Sequence, residues 1–426
     1  MNTKIIFISL FMVFGIMASA QQTVVLSNKL NIHRNDELVV LKRNQLTTLL
    51  KGNKQQLLQV KCGDSVINEI QYIDNDGDGV WDDALLLHSF KPKEKLTLTI
   101  ELNTNKKIPS FTTIRAHVRQ RHKNVNDTFG ANLKRDSIEM GRPNTDFSKV
   151  KLPFFLTEGP AWENDKVGFR LYFDVRNGKD IWGKTTTAMM MDTVGANPNL
   201  SYHQKADWGM DILKVGSSLS AGALAIRVKL TANKDTLIRL GGKNMGRVVY
   251  EKIADGPLFA KFKLSYPEWK FANGYKPISL TEEISIWGGQ YFYQSDVKII
   301  NAPDGTQLVT GFANHYALAM EQIAGQNASA FYSFGVQSEN KDKLGLAVLA
   351  LKQAVIGAEK ATGVNSDVKD SYLVSLKVPK DKQAVSFRLL AAWEPTDPRF
   401  SDSTFFRQFL IAQTELLGSP IAISYL

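Results

Sequence analysis

Hydrophobic and polar positions alternate most cleanly in the middle of the chain. Within residues 161–184, AWENDKVGFRLYFDVRNGKDIWGK, the side chains of Val167, Phe169, Leu171, Phe173 and Val175 fall on one side, and those of Gly168, Arg170, Tyr172 and Asp174 on the other. A period of two in β-branched and aromatic residues predicts a strand with one buried face. The other face lines up a guanidinium, a phenol and a carboxylate, spaced about 7 Å apart, the scale of a sugar ring. Trp162, Glu163, Asn164 and Asp165 crowd the entry of this strand, and Asp180, Trp182 and Lys184 follow its exit. Two readings fit the polar face: a solvated outer surface, or one wall of a binding cleft.

The same periodicity recurs on both sides. Segments 37–41, 57–61 and 95–101 predict short strands separated by turn residues, so residues 21–105 read as an immunoglobulin-like β-sandwich. Residues 106–110, with Pro109, read as a linker. Beyond it, segments 224–230, 258–266, 283–287, 308–312, 344–351, 372–378 and 385–393 predict further strands, and 123–149 reads as a long polar loop. One helix stands out near the end. Asp402 or Ser403 caps it, Phe405, Phe406, Phe409, Leu410, Leu416 and Leu417 form its apolar stripe, and Gly418 ends it. The predicted fold is all-β: an N-terminal sandwich, then a large antiparallel, supersandwich-like β-sandwich over 111–426 with a C-terminal helix.

Residues 74–83, DNDGDGVWDD, carry acidic side chains at Asp74, Asp76, Asp78 and Asp82 with Gly79 between them. Alternating oxygen ligands and a glycine match positions 1, 3, 5, 9 and 6 of a calcium loop. Leu85 stands where a bidentate glutamate would close it, so the segment is not a complete EF-hand. It predicts a structural Ca2+ or an acidic turn between strands. The chemistry considered below needs no cofactor.

Residues 1–20 read as a signal peptide: Lys4, an apolar run from Ile5 to Met17, and a small-residue cleavage site at Ala18-Ser19-Ala20. No cysteine follows for lipid attachment, and the run is short for a bilayer, so the expected location is periplasmic or secreted without membrane insertion. Cys62 is the only cysteine, which excludes an intrachain disulfide. The net charge is +10. A basic exported protein points to an anionic partner. Without a Lys/Arg block, nucleic acid is not expected, and the aromatic content favours an acidic oligosaccharide.

The usual hydrolase signatures are missing: there is no Gly-x-Ser-x-Gly elbow, His-Glu-x-x-His helix or Cys–His pair. Of the six histidines, His203 stands out, in a loop that reads Tyr202-His203 and then Asp207-Trp208-Gly209-Met210-Asp211. Arg115, His117, Arg119 and Arg121 alternate with Ile114, Ala116 and Val118. That is a cationic strand face, either solvated or set against something anionic.

These motifs resemble a domain-of-unknown-function family of exported proteins encoded in bacterial polysaccharide-utilisation loci. The matching features are Asp-x-Asp-Gly-Asp-Gly at 74–79, Trp-Glu-Asn-Asp at 162–165, Arg-x-Tyr at 170–172 and Asp-x-Trp-x-Lys at 180–184. They continue with Tyr-His at 202–203, Gly-x-Asp at 209–211, Lys-Val-Gly at 214–216 and Gly-Pro at 256–257. The resemblance covers nearly all of the chain after residue 20, and departs at Asp207-Trp208, where a more glycine-rich run is expected. It implies processing of uronic-acid oligosaccharides by β-elimination, giving a 4,5-unsaturated sugar from polymers such as ulvan or pectin. Such a reaction needs a base beside C5, an acid near the C4 oxygen and a countercharge for the carboxylate. On that reading Arg170 meets the carboxylate, helped by Arg115 or Arg119. His203, with Tyr172 or Tyr202, serves as base and acid. Trp162, Trp182 or Trp208 stacks on a sugar, and Glu163, Asp165, Lys184 and Asp211 hold the site or touch hydroxyls. Two alternatives stand beside it: hydrolysis by a carboxylate pair such as Glu163 and Asp211, and a non-catalytic glycan-binding sandwich.

Overall fold

The computed structural model describes residues 21–52, 54–104, 110–140, 152–231, 234–364, 366–380 and 383–426. The expected signal peptide and most of the linker lie outside these residues. Among the described residues the chain is almost entirely antiparallel β-structure, as its alternation predicts, with one long helix at Ser403–Gly418.

Two small sheets form the N-terminal sandwich. In one, Ala422–Tyr425, Gln21–Ser27, Lys95–Leu102, Leu58–Cys62 and Ser65–Ile67 lie side by side in that order; in the other, Arg34–Lys42, Asp83–Phe90 and Gln71–Ile73. Val24, Leu26, Val60, Leu98 and Ile100 face Val39, Leu41, Ala84 and Leu86 across their core. The last strand is a departure from the expected organisation. Residues 422–425 belong to this N-terminal sheet rather than to the large sandwich, with Val24 opposite Tyr425 and Ser27 opposite Ala422.

The large sandwich sets a nine-stranded sheet against two five-stranded sheets. Phe262, Ile284 and Leu389 of the large sheet pack against Phe169 and Ile181 of one five-stranded sheet and Ile226, Leu308 and Val374 of the other. The polar segment expected to be a long loop contributes Arg135–Glu139, the edge strand of the nine-stranded sheet, through pairing with Arg247–Asp255. The helix begins where its cap predicts: the Asp402 carboxylate accepts a hydrogen bond from the Thr404 amide at 2.8 Å. Its Phe406 lies so close to Gly345 that a Cβ there would come within 2.2 Å of the ring.

The two sandwiches are joined by polar side chains. Arg115 donates to both carboxylate oxygens of Asp36, at 2.8 and 3.0 Å, and to Asp165 at 2.9 Å. Gln71 hydrogen-bonds the backbone of Leu258 and Phe259. Arg115 and Asp165 therefore tie the two units together, a correction to their expected role in meeting substrate. No helix among the described residues is long and apolar enough to cross a membrane.

Candidate active site

The site is built on the five-stranded sheet ordered Gly209–Asp211, Lys179–Lys184, Val167–Leu171, Ala161–Asn164 and Ala116–Arg119. Its register brings the chemistry together. Arg170 stands opposite Asp180 on one side and the small Ala161 on the other, and Trp182 stands opposite Asp211. Phe169 and Trp162 share the other face, inside the core.

The polar face of the central strand is not open to solvent. The segment carrying Met191, Val194 and Tyr202 folds back over it, and a turn at 156–159 closes one end. Arg170 is left 2% exposed. Its guanidinium donates to Asp180 at 2.7 Å, Asp211 at 2.8 Å, Glu158 at 3.2 Å, and the Tyr202 and Tyr172 hydroxyls at 3.0 and 3.2 Å. The Tyr172 hydroxyl in turn donates to Asp180 at 2.6 Å. Arg176 completes the network through Glu158 and Asp174. Two guanidiniums thus face four carboxyl groups. Burial, together with the neighbouring Asp180, pushes the Asp211 carboxyl well above the usual range, and a retained proton there brings the charges nearer balance. Burial also drives both phenols up.

Arg170, Tyr172, Tyr202 and His203 do converge, but only the histidine reaches the surface. The His203 side chain is 56% exposed, and its Nδ1 lies 3.5 Å from Asp211 Oδ2. Its ring packs on Tyr202, which stacks on Trp182, which meets the half-buried Trp208. Burial, then the Arg170 charge, lowers the His203 pKa. The imidazole is therefore neutral near pH 7.

Several expected contact residues have other roles. Arg170 is saturated by internal carboxylates and is not available to a substrate carboxylate. Trp162 is 1% and Trp182 0% exposed, so neither offers a face to a sugar. Glu163 is fully buried; it accepts from Lys184 Nζ and from the Met190 and Met191 amides, both at 2.7 Å. Lys184 also reaches the carbonyls of Asn164 and Ala188. This pair staples the covering segment to the sheet. With Asp211 also buried, Glu163 and Asp211 do not form an exposed hydrolytic pair.

Arg119 is fully buried, and none of its hydrogen bonds goes to a carboxylate. It donates to the carbonyls of Met191, Leu156 and Gly159 and to the Thr157 hydroxyl, and burial lowers its pKa to about 9. Thr157 and Glu158 both have left-handed backbones, with φ of 47° and 70°, a conformation that costs on the order of 1–3 kcal/mol per non-glycine residue. Arg119 holds this strained turn in place, and the turn delivers Glu158 to Arg170.

His117 anchors the covering segment. Its Nδ1 lies 2.8 Å from Asp255 and its Nε2 3.2 Å from Asp192. Burial opposes its charge, but the two carboxylates outweigh that and push its pKa up to about 9. A pKa raised in the folded state stabilises fully below the unfolded value near 6.5 and is lost as pH rises through the folded value. Stability of up to roughly 3 kcal/mol should therefore disappear between pH 6.5 and 9. The Thr193 and Val194 amides, bonded to Met190, should then exchange hydrogen faster than base catalysis of exchange alone accounts for. Equal protection factors at pH 6 and 9 would contradict this.

Sequence reasoning did not single out Glu158 or Arg176, nor two exposed residues on loops rooted near Asp211. Glu339 donates its amide to the carbonyl of Ile212, next to Asp211, at 2.9 Å, and its carboxylate acts on the His203 charge. Tyr316 donates its hydroxyl to Glu339 at 3.2 Å. The one signal in the sequence was a second histidine–tyrosine neighbour pair, His315-Tyr316.

In the N-terminal sandwich, carboxylate oxygens of Asp74, Asp76 and Asp78 lie within 4.8 Å of one another. They also cap the loop's own amides, Asp74 at Gly77 and Gly79 and Asp78 at Val80. Asp82 is not part of this triad; its carboxylate accepts from the Asn75 amide. A cleft of about 620 Å³ opens nearby, lined by Arg43, Asn75, Asp82 and Asp83 among others.

A family model described as a domain of unknown function, DUF4861, matches residues 26–423. The chain belongs to the DUF4861 family. No curated protein matches it. Two solved structures are similar to this DUF4861 chain at 10% identity: an α-mannosidase from Enterococcus faecalis V583, with a TM-score of 0.47, and a protein in glycosyl hydrolase family 38 from Enterococcus faecalis, with a TM-score of 0.44. The match covers 95% of this chain in both cases, but only 46% and 47% of those chains, so the DUF4861 chain spans about half their length.

Proposed function

We propose that this protein is an exported carbohydrate-active carbon–oxygen lyase. It acts by β-elimination on uronic acid residues of oligosaccharides from anionic polysaccharides such as ulvan or pectin, and leaves a 4,5-unsaturated uronate. The observation that carries the reading is the exposed His203 ring, seated beside the buried Asp211 carboxyl. A neutral imidazole oriented from behind by a fixed network is a base suited to the weakly acidic C5 proton. The 3.5 Å gap to Asp211 is long for a hydrogen bond, and such contacts commonly tighten when substrate binds.

Arg170 being satisfied internally, the substrate carboxylate is met by other cations. Lys214, just beyond Asp211 in the sequence, and Lys341, on the loop of Glu339, are exposed and without ion pairs among the described residues, and are the candidates for this contact. The net charge of +10 favours approach of an anionic chain, and the signal-like residues 1–20 support a periplasmic or secreted location. Incubation with a panel of uronate-terminated oligosaccharides, read by ultraviolet absorbance and mass together, tests the reading. Absorbance of a conjugated double bond, with loss of water or cleavage of the chain, is the expected result. Cleavage with addition of water would make the protein a hydrolase. Binding without any product would make it a glycan-binding sandwich.

We also propose a structural Ca2+ at Asp74, Asp76 and Asp78, supported by the closeness of their oxygens. Ca2+ takes about 6–8 oxygens, so carbonyls and water complete the set. Calcium should raise the melting temperature in proportion to the logarithm of its concentration above Kd, and Asp76→Asn should remove most of that rise. A melting curve indifferent to millimolar calcium and to chelator would reject the site.

A further inference from the structure

Three loops are rooted at or just beyond Asp211, a member of the buried Arg170 network. The first carries His203. The second, residues 314–320, is seated on the irregular segment that follows the strand ending at Asp211. His315 Nε2 lies 3.1 Å from the Val215 carbonyl, and a Cβ on Gly216 would come within 2.9 Å of the His315 ring. The third, residues 337–342, is pinned to the same segment by the Glu339 amide at the Ile212 carbonyl. Tyr316 and Glu339, bound to each other, therefore stand on fixed loops rooted within a few residues of His203's own partner.

Their exposure sets them apart from the phenols below. Tyr316 is 44% exposed and Glu339 is also exposed, whereas Tyr172 and Tyr202 are 8% and 4% exposed with their hydroxyls tied to Arg170. An elimination needs a proton donor that reaches the leaving oxygen. Both buried phenols are spoken for by the Arg170 network, whereas the Tyr316 hydroxyl belongs to an exposed side chain.

Resting on the lyase reading above, we infer that Tyr316 is the catalytic acid of this site and Glu339 its positioning residue. In the reaction the His203 Nε2 takes the C5 proton. The electrons of that C–H bond form the C4–C5 double bond, and the C4–O bond breaks. The leaving oxygen takes the Tyr316 hydroxyl proton and departs as water, or as the alcohol of the preceding sugar. His203 then holds one extra proton and Tyr316 lacks one. Both side chains are exposed, so exchange with solvent restores them, and no oxidant, reductant or metal enters the balance. Glu339 accepts the Tyr316 hydroxyl at rest and fixes the direction of the phenol; its carboxylate, with burial, also raises the Tyr316 pKa, which keeps the acid protonated at neutral pH.

The test compares wild type, Tyr316→Phe and Glu339→Gln on two substrates. One is a uronate-terminated oligosaccharide with the natural C4 oxygen, and the other its 4-deoxy-4-fluoro analogue, whose fluoride leaves with far less need of a proton. Formation of the conjugated double bond is followed in both. Tyr316→Phe should lower kcat at least 100-fold on the oxygen substrate, with KM changed less than threefold, and should recover to within tenfold of wild type on the fluoro substrate. Glu339→Gln should lose less than Tyr316→Phe and should move the acid limb of the pH profile downward, because a carboxylate that favours charged His203 has gone. Equal losses on both substrates, a rise in KM alone, or a Tyr316→Phe enzyme within threefold of wild type would overturn the assignment. A wild-type enzyme that forms no double bond from either substrate would instead overturn the lyase reading, and this inference with it.

Discussion

Replacing His203 by alanine should reduce formation of the unsaturated uronate by about 100- to 10,000-fold, the range a positioned general base contributes. The fold should survive, because the imidazole is more than half exposed and its one polar contact with the network is the 3.5 Å approach to Asp211. Circular dichroism and the melting temperature of the variant should match wild type while turnover vanishes. The pH profile should agree. Burial and Arg170 pull the His203 pKa down, while Asp180, Glu158 and Glu339 pull it up, and the net direction is downward. A base must be deprotonated to act, so kcat/KM should rise with pH through an acid limb below about 6.5, the ordinary histidine value, and then level off. A His203→Ala enzyme with full activity, or a wild-type acid limb above neutrality, would remove His203 from the mechanism.

Replacing Arg170 by methionine should have the opposite signature, a loss of stability before any loss of chemistry. The side chain contributes the hydrogen bonds that Glu158, Asp180, Asp211 and both phenols share. Without it, Asp180 and Asp211 remain buried with no cation in contact, while Glu158 keeps Arg176, and breaking a buried ion pair from one side costs about 3–5 kcal/mol. Lysine should rescue only part of this, because one ammonium cannot reproduce the planar fork that spans three carboxylates. Urea denaturation of the three proteins should rank wild type above Arg170→Lys above Arg170→Met. A methionine variant within about 1 kcal/mol of wild type would mean that the network is hydrated and that Arg170 is free to meet a ligand after all.

That contrast explains which parts of the site were legible in the sequence. Period two along 167–175 placed Phe169 and Arg170 on opposite faces of one strand, because a strand has no other way to dispose successive side chains. The same rule put Trp162 on the core face, since it pairs with Phe169, but the register that decides this depends on a neighbouring strand and is not written in four residues. The covering segment that carries Met191, Val194 and Tyr202 has no periodic pattern, so nothing local announced that it folds back and turns an apparent cleft wall into an interior. The convergence of Arg170, Tyr172 and His203 was readable as composition; the burial of the first two was not. Tyr316 and Glu339 come from two loops more than a hundred residues downstream of His203, and only the assembled sandwich brings the two together. The cationic Arg115 face was visible as a pattern, but its counter-ion Asp36 lies in the other sandwich.

The pairing of Gln21–Ser27 with Ala422–Tyr425 also governs when the molecule can be finished. Until residues 422–425 have paired with it, the strand Gln21–Ser27 presents a bare row of amides and carbonyls along one side, a surface prone to capture by other extended chains. Removal of residues 422–426 would therefore injure a sheet whose other strands lie far away along the sequence.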